Sequence, residues 1–175
     1  HVRFEEAKGY LLDLLSALAH AHGQGLLHLD LKPENVLLQE GEPRLADFGV
    51  AAAVQLLDEK IGRAGTPWYM APEQFDARTR LSPQTDMYAL GCLAVQLLTG
   101  STLYPGAPDA QERAHLRAPV PAISWPPGVP EAFGTWVERL LAKDPAERFE
   151  RAADAALVLE GMAPQPGERA QRRAV

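Results

Sequence analysis

His28-Leu29-Asp30-Leu31-Lys32-Pro33-Glu34-Asn35, followed at once by the apolar run Val36-Leu37-Leu38, is the stretch on which the reading of this chain turns. An acid, a lysine two places on and an asparagine three beyond that form a compact set suited to phosphoryl transfer. The Asp30 carboxylate can orient a hydroxyl and accept its proton. Lys32 can neutralise charge on a moving phosphoryl group, and the amide oxygen of Asn35 can ligate Mg²⁺. Pro33 stiffens the loop between them, which favours fixed positions. Taken alone, the octet also fits a solvated turn ahead of a strand, so its surroundings decide.

Downstream, the turn-like Gln39-Glu40-Gly41-Glu42-Pro43 separates Val36–Leu38 from Arg44-Leu45-Ala46, which predicts a β-hairpin. Such a hairpin returns Asp47-Phe48-Gly49 to the side of Asn35. A carboxylate there can bridge a metal to nucleotide phosphates, and Gly49 lets the chain swing away. Residues 49–65 carry no clean period and read as a loop. Gly65-Thr66-Pro67-Trp68-Tyr69-Met70-Ala71-Pro72-Glu73 follows, then Asp86-Met87-Tyr88-Ala89-Leu90-Gly91, then Asp144-Pro145-Ala146-Glu147-Arg148.

Around these motifs the pattern is helical. Phe4 to His22 predicts one helix, with Glu5 and Glu6 at its positive end, a broad apolar face, and Gly23 and Gly25 as the stop. Asp86 to Thr99 is apolar almost all round, the mark of a buried helix, and Gly100 ends it. Pro108 to Arg117 is helix-forming, Pro119 to Pro130 is irregular, and Glu131–Ala142 and Arg151–Glu160 are two further helices. Beyond Ala163, Pro, Gly, Gln and Arg dominate. One domain over residues 1–162 with a loose tail over 163–175 is the expected organisation.

Composition narrows the function. The chain has 175 residues, 46% hydrophobic and 23% charged, which suits one compact domain. A net charge of −6 offers no basic field for a phosphate backbone, so nucleic acid is not an expected partner. Cys92 is the only cysteine, which excludes an internal disulfide, and its place in the buried helix makes it a core residue. No run is long enough for a membrane span and no signal layout opens the chain, so a cytoplasmic domain is expected. The opening His-Val-Arg-Phe predicts a chain cut from something longer, and the Ala, Leu, Pro and Arg usage suggests a bacterial source. Trp68, Trp125 and Trp136 read as packing residues. His20, His22, His28 and His115 lack zinc-ligand spacing.

The five motifs, in this order, resemble the protein kinase superfamily over about Phe4 to Glu160. Asp-Leu-Lys-Pro-Glu-Asn with Lys32, and Thr66 before Pro67, resemble its serine/threonine branch. The resemblance implies the mainly α-helical C-terminal lobe of a protein kinase-like (α+β) fold, with MgATP and a protein Ser/Thr hydroxyl as substrates. It implies Asp30 as catalytic base or hydroxyl orienter, Lys32 on the γ-phosphate, and Thr66 tying both to the substrate loop. Asn35 and Asp47 would hold Mg²⁺, Glu34 would lie near the ribose and peptide, and Leu37 would floor the adenine. His28 and Phe48 would stack in an internal column, Asp86 would hold the catalytic-loop backbone, and Glu73 and Arg148 would form a structural ion pair.

Three departures qualify this picture. Leu29 stands where the family usually has an arginine that pairs with an activation-loop phosphate. Residues 50–65 contain no Ser, Thr or Tyr, so activity independent of phosphorylation in that loop is expected. The glycine-rich loop, the strand lysine and its glutamate partner, which the family places about a hundred residues earlier, have no counterpart here. The isolated chain is therefore expected to be inactive or nearly so, with an exposed face around Leu37 and Phe48. Membrane anchoring of the parent chain stays open. Two other classes share parts of the pattern: a pseudokinase or docking module, and small-molecule phosphotransferases of related architecture. Retention of Asp30, Lys32, Asn35 and Asp47 together favours the enzyme over the former. Ala71-Pro72-Glu73 and the Gly65-Thr66-Pro67 loop argue against the latter.

Overall fold

The computed structural model describes residues 2–48, 66–76 and 78–164. The loop expected over 49–65 and the tail expected over 165–175 lie outside the described residues. Five helices and one hairpin are described: α1 (Phe4–Gly23), β1 (Val36–Gln39), β2 (Glu42–Leu45), α2 (Pro83–Thr99), α3 (Pro108–Arg117), α4 (Glu131–Leu140) and α5 (Ala152–Glu160).

Helix α1 forms because Phe4, Ala7, Leu11, Leu14, Leu15 and Leu18 recur at helical spacing, and all of them are buried. Acids in its first turn and His20 and His22 in its last complement the helix dipole. The stop is made by Gln24 N donating to Ala21 O at 3.0 Å and Gly25 N to His22 O at 2.9 Å. Gly25 then takes φ of 76°, which a side chain would resist.

Helix α2 is the axis of the lobe. Every residue from Thr85 to Val95 is buried, as an apolar helix without a polar face requires. It starts three residues before the Asp86 expected from sequence, because Pro83 is pre-set for a first helical position. Thr85 Oγ1 accepts from Ser82 N at 3.2 Å, supporting that start. Gly91 permits the close crossing of α4: a Cβ there would lie 2.9 Å from Leu141 Cδ2 and 3.0 Å from Leu140 Cβ.

Phe133 of α4 gathers the aromatic core, with its ring 5.3 Å from Phe4, 5.2 Å from Trp125 and 5.4 Å from Trp136. Trp136 donates its indole N–H to Ala155 O at 3.0 Å, joining α4 to α5. Lys8 reaches from α1 to the carbonyls of Glu160 and Met162, so it caps the free end of α5. Among the described residues no helix is long and apolar enough to cross a membrane.

The hairpin is tighter than its sequence suggested. Strand pairs run Val36–Leu45, Leu37–Arg44, Leu38–Pro43 and Gln39–Glu42, leaving only Glu40-Gly41 in the turn. Both turn residues have positive φ, 55° and 86°, as a two-residue hairpin demands. Pro43 reads as a breaker, yet its position opposite Leu38 is one where no ladder N–H is needed. The rung beyond is made by Ala46 N donating to Asn35 O at 2.9 Å.

Candidate active site

The loop between α1 and β1 is fixed from below by one carboxylate. Asp86, fully buried at the start of α2, accepts from His28 N at 2.9 Å, Leu29 N at 2.7 Å and His22 Nε2 at 2.7 Å. A buried carboxylate is stable only when its oxygens are so occupied. His28 is fully buried, donates from Nε2 to Ala46 O at 3.0 Å and meets Phe48 edge to face at 4.7 Å. The expected His28–Phe48 contact is therefore present, as an edge contact and not a face-to-face stack.

Leu31 is buried next to the equally buried Leu29, and the residue between them, Asp30, is turned toward Lys32, Asn35 and Thr66. Lys32 Nζ donates to Asp30 Oδ2 at 2.6 Å and to Thr66 Oγ1 at 3.0 Å. Thr66 donates to Asp30 Oδ1 from both its backbone N and its hydroxyl, each at 3.0 Å. Asn35 Nδ2 donates to Asp30 O at 2.8 Å and Asp30 Oδ2 at 3.2 Å. With its nitrogen committed, the Asn35 amide oxygen is the atom able to ligate a cation.

Asp47 lies immediately past the Ala46–Asn35 rung, exposed and in the left-handed region with φ of 61°. Two oxygen-bearing side chains, Asn35 and Asp47, thus sit at the same end of the hairpin. This hard-oxygen donor chemistry fits a divalent ion of the Mg²⁺ type. Glu34 is exposed on the Pro33–Asn35 turn. Its charge reaches Tyr69, whose phenol is pushed up to about 12 by burial and then by the Glu34 carboxylate. Leu37 and Leu38 are 55% and 62% exposed on the hairpin. Phe48 is half-buried.

Below the site, Arg148 and Glu73 form a two-point pair at 2.7 and 2.9 Å, with the remaining guanidinium donors on Ala142 O, Gln84 O and Lys143 O. The ion pair expected from sequence is in place.

Sequence reasoning missed three polar groups that brace the loop and its platform. Gln74 accepts from Ala71 N and donates to Leu29 O, both at 2.9 Å. Lys143 Nζ donates to the hydroxyls of Tyr88 and Tyr104 and to the carbonyls of Ala114 and His115. Burial pulls its ammonium down to about 8. His115, fully buried on α3, sits 2.9 Å from the Tyr88 hydroxyl, and burial followed by the Lys143 charge brings its imidazole down to about 4. Histidine and glutamine on an otherwise polar helix or turn gave no signal of burial. Burial also pushes the Cys92 thiol up to about 12, which leaves it unreactive at neutral pH.

These features can be set beside known proteins. Residues 1–158 match the model of the protein kinase domain. The chain is 38% identical over 158 residues to the serine/threonine-protein kinase PknH of Mycobacterium bovis, covering 86% of this chain and 26% of that protein. It is 39% identical over 145 residues to the serine/threonine-protein kinase PknE of Mycobacterium tuberculosis, covering 79% of this chain and 25% of the relative. It is 35% identical over 129 residues to cyclin-dependent kinase F-3 of Oryza sativa subsp. japonica, covering 71% and 30%. The chain thus spans about a quarter of the length of the bacterial relatives it matches. The match over residues 1–158, joined to the geometry above, makes this chain a member of the protein kinase domain family.

Proposed function

We propose that this chain supplies the catalytic loop, metal ligands and substrate platform of a serine/threonine protein kinase, which transfers the γ-phosphate of ATP to a protein hydroxyl. The observation that carries the reading is the Asp30–Lys32–Thr66–Asn35 cluster, in which one carboxylate is held by three side chains at 2.6 to 3.2 Å. A docking module has no physical need to order an acid this closely. Asp30 orients the incoming hydroxyl and takes its proton as the oxygen–phosphorus bond forms and the bond to the β,γ-bridging oxygen breaks. Lys32 sits on Asp30 here and is long enough to turn its ammonium to the γ-phosphate, where charge moves during transfer. Thr66 keeps Asp30 and the substrate loop in register. Asn35 and Asp47 would hold Mg²⁺, which when bound supplies charge neutralisation on the phosphates. Glu34 faces the peptide and ribose side, and the exposed Leu37 offers an apolar seat for adenine. Use of ATP as donor puts the reaction in the cytoplasm.

The test is transfer of labelled γ-phosphate to a Ser/Thr peptide by the full-length protein and by its Asp30→Asn variant. Loss of the oriented base lowers kcat by about 10²–10⁴-fold, with ATP binding retained. Residues 1–175 alone are expected to transfer far more slowly than the full-length protein. Equal rates for Asp30→Asn and the native protein would remove the reading.

A further inference from the structure

Leu29 is a large, buried residue held at φ of 64°, a left-handed conformation that leucine avoids. Such a conformation persists only where the surroundings over-determine it. Here the two peptide groups that flank the residue are each tied down. Its N–H donates to Asp86 Oδ1 at 2.7 Å, and its C=O accepts from Gln74 Nε2 at 2.9 Å. Fixing the direction of the N–H sets φ, and fixing the direction of the C=O sets ψ. The plane of the peptide leading into Asp30 follows from the two together.

Gln74 is itself anchored. It is 6% exposed, sits on the Pro72–Phe75 turn, and its Oε1 accepts from Ala71 N at 2.9 Å. One carboxamide therefore joins the backbone of the substrate platform to the backbone of the catalytic loop, 45 residues away in sequence. Both of its polar ends are used, the carboxamide oxygen as acceptor and its nitrogen as donor. The Leu29 side chain carries no charge, so its clamp is made entirely through its backbone.

We propose that Gln74 is a positioning residue for phosphoryl transfer, which aims Asp30 by holding the strained Leu29 carbonyl from the Pro72–Phe75 turn. This rests on the kinase reading above and adds to it a residue that touches neither nucleotide nor hydroxyl. It also makes the platform and the acid a single mechanical unit: a shift of the Pro72–Phe75 turn is felt at Asp30 through one hydrogen bond.

Two variants of the full-length protein test it. Gln74→Met fills the same space without donor or acceptor. Gln74→Glu keeps an acceptor for Ala71 N but sets a carboxylate against the Leu29 carbonyl. Both are expected to lower kcat by about 10–100-fold, the range expected when a reacting group is displaced by about 1 Å. KM for ATP stays within about twofold, because the loss is in orientation and not in nucleotide binding. Backbone hydrogen exchange over residues 28–31 should quicken in both, measured well below the melting temperature. A residue that merely stabilised the fold would lower the melting temperature and leave kcat and local exchange at low temperature unchanged; that result overturns the proposal. So does a folded variant with native kcat, or a fall in kcat without faster exchange at 28–31. If Gln74→Met does not fold, Gln74→Glu decides by the same criteria. Should the native protein transfer no phosphate, the kinase reading fails, while the exchange comparison still judges the clamp.

Discussion

Replacing Arg148 by methionine keeps the length and apolar stem of the side chain and removes its five donors. Glu73 is then left as a carboxylate 5% exposed with no partner of opposite charge at 2.7 Å, and the carbonyls of Ala142, Gln84 and Lys143 lose their donor. Breaking a buried pair from one side costs about 3–5 kcal/mol, because the surviving charge is stranded. For a lobe of this size the loss lowers the melting temperature by about 8–16 °C. Urea denaturation followed by tryptophan fluorescence reads it directly, since Trp136 is buried in the same core. The midpoint should fall at unchanged slope. The decisive comparison is the double variant Glu73→Gln/Arg148→Met. Removing the stranded charge should restore about 1–2 kcal/mol relative to Arg148→Met, leaving the cost of the three bare carbonyls. A double variant no more stable than Arg148→Met would show that the stranded carboxylate is not the source of the loss, and the reasoning would fall.

Other consequences are sharper in sign than in size. Gly91→Ala would ordinarily favour a helix by about 1 kcal/mol. Here the added Cβ falls 2.9 Å from Leu141 Cδ2 and 3.0 Å from Leu140 Cβ, so net destabilisation of about 1–2 kcal/mol is expected, and a raised melting temperature would contradict the packing at the α2–α4 crossing. His115 gives a pH signature. Its folded value of about 4 lies below the usual 6.5, so the unfolded chain binds the extra proton between them. Stability from this group is complete above pH 6.5 and is lost as pH falls toward 4, up to about 3 kcal/mol. The rings of Phe75, Tyr88 and Tyr104 and the Lys143 ammonium face it, and the protonated imidazole finds no acid among them. His115→Phe should flatten the acid limb of the stability curve between pH 6.5 and 4.5; parallel curves for the two proteins would rule the explanation out.

Much of the fold was legible because it is written in patterns of residue type. The stripe of α1, the all-apolar α2 and the order of the five motifs needed only spacing and polarity. Asp30, Lys32, Asn35 and Thr66 could be picked out for the same reason: their chemistry is carried by side-chain identity. The length of the hairpin is not legible in residue type, since Pro43 reads as a breaker until the register shows that its missing N–H faces away from the partner strand. Helix α2 starts earlier than hydropathy indicates, because Pro83 and Thr85 are loop-like by that measure. The braces were not legible at all. Gln74, His115 and Lys143 are residue types found mostly at surfaces, and what commits them to the interior is a set of carbonyls and hydroxyls from segments far apart in sequence.

Backbone conformation was the other silent quantity. Among the described residues only Leu29, Glu40 and Asp47 take positive φ without being glycine. Glu40 does so in a two-residue turn that requires it. The other two stand next to the Asp30 carboxylate and at the proposed metal-ligand position itself. Residue type argues against a left-handed leucine, so no local rule could have placed it. What overrides the rule is long-range: Asp86 from α2 on one side and Gln74 from the Pro72–Phe75 turn on the other. Strain of this kind is tolerated where geometry matters more than stability. Leu29 is therefore the outlier by residue type, set by contacts from segments far apart in sequence, whereas Asp47 is of a type that visits the left-handed region.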